Sequence, residues 1–430
     1  MGRLKKFWQQ LGPGLVTGAA DDDPSGIVIY SIAGAKFGLA LLWATIVTLP
    51  FMIITQRIAG RIGLISGKGL AGNMKKFYPR WILLAIALMM LAANIINIGA
   101  DISAMAVASN ILVPGIPPVV FLILVSGTII TLLIRLPYRK VANYLKWVAL
   151  AMVSYIVAAF LVKQDWSLIV YRLFVPQIIW SKEYLVLVVA FFGTTISPYL
   201  FFWQASGEVE EEQIHLKNNP GSAAMIPGTQ PHPKHRSERI IKNEISYMYK
   251  DIGLGMFFSN LITFFIIILS SATLFKIGHG GVQTIQEIAS ALQPLAGKYS
   301  NALFLIGILA SGALAVPVLA GSAAYIITEV FNWRWGFEHK FHNAPQFYMV
   351  IILATVFGAV IPIFGLHPVQ ILFYTAVIYG FISPPLLLLL IHMANNPKVM
   401  GQYTSRLHSN VIAYALFLMM TGSLILMAIL

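Results

Sequence analysis

Apolar residues fill most of this chain in runs of about 17 to 25, separated by short polar segments, which is the spacing of membrane-spanning helices. Eleven spans are predicted, at about 12–37, 39–63, 81–107, 117–135, 141–162, 184–206, 249–275, 301–330, 346–365, 368–393 and 409–429. Two of them are interrupted. The first carries Asp21, Asp22, Asp23, Pro24, Ser25 and Gly26 in its middle. A charge at bilayer depth costs at least ~2.5 to 3.5 kcal/mol on insertion scales, so these carboxylates must face protein, water or a cation. Pro24 removes a backbone donor and Ser25-Gly26 propagates helix poorly, so the helix is predicted to break at the acids. Asp-Pro-Ser-Gly alone is ordinary turn chemistry. The stretch from Gly12 to Asp22 is too short to span by itself, however, whereas 12–37 spans comfortably.

The sixth span, Phe191 to Leu200, again places small polar residues and a proline, Thr194, Thr195, Ser197 and Pro198, near its middle. A single proline kink in a membrane helix is common. Two interrupted helices at corresponding positions of two five-helix halves instead indicate an inverted-repeat transporter with a midplane site, where freed carbonyls serve as ligands. The predicted architecture is an all-α polytopic membrane protein forming one domain, 1–430. Repeat one covers about 12–162, repeat two about 184–393, and an extra helix 409–429.

Charge fixes the orientation of this scheme. The chain is 58% hydrophobic and only 10% charged, with a net charge of +13 and a mean hydropathy of +0.78. Most Lys and Arg lie between the spans or near their ends. With a cytoplasmic N-terminus, 23 of the 29 basic residues fall in or beside cytoplasmic loops, a strong positive-inside bias, so the basicity is topological and does not indicate nucleic acid. The chain is therefore expected to be a multi-pass protein of the cell membrane (an inner membrane where there are two), with a retained cytoplasmic N-terminal tail and an extracytoplasmic C-terminus. No cysteine is present, which excludes disulfides and thiolate chemistry. One long polar segment, 207–246, carries Glu208, Glu210, Glu211 and Glu212, then His215, His232 and His235 among prolines, and is read as a solvated cytoplasmic loop.

Several segments together resemble the Nramp family of divalent-metal transporters over nearly the whole length. Gly12-Pro13-Gly14 with Asp23-Pro24-Ser25-Gly26 is similar to its GPG and DPGN signatures. The run Arg61 to Leu70 is similar to ARIGLVTGRGL, and Gly193 to Pro198 takes the place of GATVMPHN. The resemblance implies a LeuT-like fold with ten core helices and one more. It also implies a metal site at Asp23, Gly26, Thr194 and Ser197, with Asp22 adding charge nearby. The departures bear on the ion. Gly26 replaces an asparagine and Ser197 stands where the family has a thioether. Sulfur favours soft transition metals, while hydroxyl and carboxylate oxygens suit Mg²⁺, Ca²⁺ and Mn²⁺. Small residues at both positions are expected to leave room for the waters that Mg²⁺ retains. The pattern resembles the Nramp-related magnesium transporters, a divergent branch.

Proton coupling is expected to be weak. Tyr199 replaces the family's sixth-helix histidine, and a phenol is neutral at physiological pH. In the third span Asp101 retains one acid of a family pair while Ile98 replaces the other, leaving Asp101 with either a proton role or a helix-packing role. Asn97 and Asn260 read as helix glue, and Tyr379, Ser383 and Pro384-Pro385 as gating elements by analogy alone. The function expected is a non-enzymatic carrier of Mg²⁺, with Mn²⁺ also accepted, working by alternating access without proton coupling. It needs no cofactor, nucleic acid or obligate protein partner, only the ion and the bilayer. The alternatives are a proton-coupled Mn²⁺/Fe²⁺ importer and a non-transporting metal sensor. An intramembrane aspartyl protease is disfavoured, because its two carboxylates must come from separate helices.

Overall fold

The computed structural model describes residues 13–135, 152–218, 238–275, 284–290, 300–365 and 367–430. Its helices are α1 (Pro13–Asp21), α2 (Pro24–Phe37), α3 (Trp43–Ser66), α4 (Leu70–Phe77), α5 (Arg80–Leu112), α6 (Pro118–Arg135), α7 (Val153–Leu161) and α8 (Trp166–Phe174). After these come α9 (Lys182–Thr195), α10 (Pro198–Asn218), α11 (Glu238–Thr273), α12 (Ile285–Ser290), α13 (Ser300–Phe331), α14 (Pro345–Val360), α15 (Pro368–Asn395), α16 (Pro397–Met400) and α17 (Leu407–Ile429). Among the described residues eight helical segments are long and apolar enough to cross a membrane: Arg80–Leu112, Pro118–Arg135, Lys182–Ile214, Glu238–Thr273, Leu305–Phe331, Pro345–Phe364, Pro368–Asn395 and Leu407–Ile429. The chain is thus a multi-pass membrane protein. Of the other three expected spans, the first is the broken pair α1 and α2, and the second is α3, diluted by Gln56, Arg57 and Arg61. Only α7 of the span expected at 141–162 lies among the described residues.

Both interruptions fall where the sequence places them, and by the same device. Each second half-helix begins with proline, Pro24 in α2 and Pro198 in α10. There the missing N–H is no loss and the fixed φ suits a first turn. The two broken helices lie antiparallel. α1 packs beside α10, and α2 beside α9, so each half before a break meets the half after the other break. α11 runs along both α1 and α2, α13 packs along α5, and α15 closes over α9. Close approach requires glycine at two of these seams. A Cβ on Gly18 would collide with the Gly255 backbone of α11, and one on Gly193 with the Ala376 and Gly380 backbone of α15.

The solvated loop expected at 207–246 is corrected. α10 continues to Asn218 and α11 starts at Glu238, so the segment between them is shorter, and 219–237, with His232 and His235, lies outside the described residues, as does the side chain of His215. Of the acids that suggested a loop, Glu208, Glu210 and Glu212 are buried, and partners within the helix and far along the chain satisfy Glu208 and Glu210. Gln204 Nε2 donates to Glu208 Oε1 at 2.7 Å. Glu210 Oε1 accepts from the Tyr325 hydroxyl at 2.8 Å and from the Phe337 amide at 2.9 Å. Glu and Gln are also good helix formers, so nothing local ends the helix at Gly207.

Candidate metal site at the helix breaks

Asp23 sits at the N-cap of α2, with φ −67° and ψ 169°, and its Oδ1 accepts from the Gly26 amide at 2.7 Å. A carboxylate here serves the orphan amides of the first turn and meets the positive end of the helix dipole. Its Oδ2 accepts from Asn97 Nδ2 at 2.9 Å, while Asn97 Oδ1 accepts from the Ser25 hydroxyl at 2.7 Å. Asn97, read from sequence as helix glue, therefore orients the central carboxylate from α5. The Thr194 hydroxyl faces Asp23 from α9. A Cβ at Gly26 would stand 3.1 Å from the Tyr30 ring and 3.4 Å from both the Asp21 carbonyl and Thr194 Oγ1. Asp23, Gly26 and Thr194 are thus brought together, and in this conformation neighbouring groups take up the room expected beside Gly26.

Asp22 is placed differently. Ser259 Oγ of α11 lies 3.0 Å from Asp21 Oδ2 and 3.2 Å from Asp22 Oδ1, so these two acids share one hydroxyl on the α11 side of the break. Nothing in the sequence marked Ser259, one of four serines in α11. Among the described residues no group of three or more His, Asp or Glu side chains could hold a metal ion. Any ion at this break therefore needs hydroxyl, carbonyl or water oxygens besides the carboxylates.

The two breaks supply such oxygens, and hydroxyls cover them here. Ser197 Oγ donates to the Thr194 carbonyl, Ser383 Oγ of α15 to the Ile196 carbonyl at 3.1 Å, and Tyr199 Oη to the Ala20 carbonyl of α1 at 3.0 Å. Each carbonyl keeps a second lone pair. Tyr199 thus bridges the two broken helices. Its ring centroid is 5.6 Å from that of Tyr379, whose hydroxyl donates to Asn94 at 2.9 Å. Asp101, one turn further along α5, is fully buried, and among the described residues neither carboxyl oxygen has a hydrogen-bond partner. The centre is sealed: Asp21, Asp22, Asp23, Thr194, Ser197 and Tyr199 are each at most 2% exposed.

Comparison with known proteins bears on the family and the fold. The family model for natural resistance-associated macrophage protein-like (Nramp) chains matches residues 14–430. A protein of Caldanaerobacter subterraneus subsp. tengcongensis named divalent metal cation transporter MntH is 24% identical, over 93% of this chain and 88% of that protein. A protein of the same name from Mycobacterium tuberculosis is 23% identical, over 94% and 87%. The crystal structure of an Eremococcus coleocola manganese transporter superposes with a TM-score of 0.72 at 15% identity, covering 98% of this chain and 86% of that one. Mhp1, a nucleobase-cation-symport-1 family transporter in a closed conformation, gives 0.56 at 10% identity over 97% and 92%. The fold is accordingly LeuT-like.

Proposed function

The chain belongs to the Nramp family, a family of transporters and not enzymes, and on that footing we propose that it carries divalent cations across the membrane by alternating access, chiefly Mg²⁺ and also Mn²⁺, without obligatory proton coupling. The observation that carries the reading is the Asp23 cluster. One carboxylate, held by Gly26 and Asn97, faces the Thr194 hydroxyl, and Ser197 at the second break contributes a hydroxyl where the family has sulfur. All the oxygens on offer are hard donors suited to Mg²⁺ and Mn²⁺. Asp23, Gly26, Thr194 and Ser197 are the proposed ion ligands, and Asp22 adds charge from the Ser259 side. A partly hydrated ion requires α2 and α9 to separate beside Gly26, a movement that alternation of two inverted repeats supplies. The proposed repeats are those at about 12–162 and 184–393, with the extra helix at 409–429. The basic loops support a cytoplasmic N-terminus and an extracytoplasmic C-terminus.

One observation favours a second reading, proton-coupled import of Mn²⁺ or Fe²⁺. Asp101 is a buried acid without a hydrogen-bond partner among the described residues, and such acids within membranes commonly relay protons. Purified protein in liposomes separates the readings. Saturable Mg²⁺ uptake with competition by Mn²⁺, and no change in lumenal pH, is the expected outcome. Metal-driven proton flux would favour the second reading. No uptake of any divalent ion would reject transport.

A further inference from the structure

A cavity of about 350 Å³ opens where α4 turns into α5 beside the end of α13, lined by Lys75, Tyr78, Arg80, Leu83, Leu84, Val330 and Phe331. Its two halves differ in chemistry. Leu83 and Val330 form a buried apolar floor, Leu84 and Phe331 line it further, and the rim carries two cations and a phenol. Lys75 Nζ donates to the Val330 carbonyl at 2.7 Å, which fixes the ammonium at the rim with two N–H donors to spare. Arg80, the first residue of α5, lines the cavity and adds a second cation to the rim. The Tyr78 hydroxyl is hydrogen-bonded to His392 Nδ1 of α15. Burial pushes the phenol up to about 12, so it stays neutral and the rim's charge is set by Lys75 and Arg80. Among the described residues no carboxylate lines the cavity. The neighbouring acid, Glu329, is turned to the Gly69 and Gly72 amides, at 2.6 and 2.9 Å.

The cavity also sits at a particular depth. The apolar run of α5 begins immediately after Arg80, and the aromatic residues around it are exposed: Trp81 at 71%, Phe331 at 52% and Trp333 at 38%. Phe331 and Trp333 stack with ring centroids 4.8 Å apart. Exposed Trp beside Lys and Arg at the end of a span marks the headgroup level of a bilayer. A cationic rim over an apolar slot at that level matches one kind of molecule in polarity and in shape.

We infer that this cavity binds an anionic phospholipid, with the phosphate held by Lys75 and Arg80 and an acyl chain lying along Leu83, Leu84 and Phe331. A lipid seated there bridges α4, α5 and α13, and so ties together elements distant in sequence. The test is native mass spectrometry of the detergent-purified full chain titrated with phosphatidylglycerol or phosphatidylcholine, for wild type, the double variant Lys75→Gln/Arg80→Gln, and Lys398→Gln/Arg406→Gln as a charge-matched control. Wild type and control should bind the first phosphatidylglycerol at least fivefold more tightly than phosphatidylcholine, and the Lys75/Arg80 variant should lose that preference while keeping its melting temperature. Equal preference in all three proteins would overturn the assignment. Displacement of the bound lipid by millimolar inorganic phosphate would also overturn it, by showing a site for free phosphate in which the acyl chain contributes nothing.

Discussion

Asp23 holds two roles that a pair of substitutions separates. Its Oδ1 caps α2 and, in the proposed site, its charge holds the ion. Asp23→Asn keeps an N-cap acceptor but removes the charge, so divalent uptake should be lost with little change in melting temperature. Asp23→Ala should lose uptake and a further ~1 kcal/mol or so of stability from the missing cap. Uptake by the asparagine variant at wild-type affinity would place the site elsewhere. At Ser197, exchange for Met puts a soft sulfur where a hydroxyl now covers the Thr194 carbonyl. The preference for Cd²⁺ over Mg²⁺ should rise about tenfold, ~1.4 kcal/mol, in competition uptake, and an unchanged ratio would show that residue 197 does not face the ion. The central acid was legible in the sequence because three carboxylates cannot rest in lipid. Its partners were less so: Asn97 looked like one of several packing amides, and Ser259 carried no signal, since their roles arise only when α5 and α11 fold against the break.

Among the elements, the breaks were readable because proline and acids act locally, on their own turn of helix. The helical course of 207–218 was not, because burial of Glu208 and Glu210 depends on Gln204 within the helix and on Tyr325 and Phe337 more than a hundred residues away. The seams between elements make their own prediction. Gly193→Val forces a side chain into the α15 backbone at Ala376 and Gly380. It should lower stability by about 1 to 3 kcal/mol, as overpacking does, seen as an earlier thermal transition in detergent. Gly127→Val is the comparison, since nothing lies within 4 Å of a Cβ there, and it should melt like wild type. Equal melting of the two variants would mean that α9 and α15 are free to part at that seam.

At the scale of the whole molecule, two interrupted spans pointed to paired broken helices, and α1 does pack beside α10 and α2 beside α9. Coupling belongs to this scale, because a proton must travel from the centre to an aqueous face. If Asp101 has only a packing role, Asp101→Asn should leave Mg²⁺ uptake and lumenal pH as in wild type. Mg²⁺-driven acidification in wild type that disappears in the variant would assign it a relay role. The sealed centre has a further consequence, one of time. With the acids and hydroxyls around the breaks shut away from water, an ion carried as proposed cannot hop through on its own thermal motion; it must wait for packed helices to part and close again. Collective movements of that kind take microseconds to milliseconds, so passage is capped at roughly 10³ to 10⁶ ions per second. The current through one molecule would then be too small to register as discrete openings, and uptake should slow steeply on cooling, as a hinge does and a pore does not.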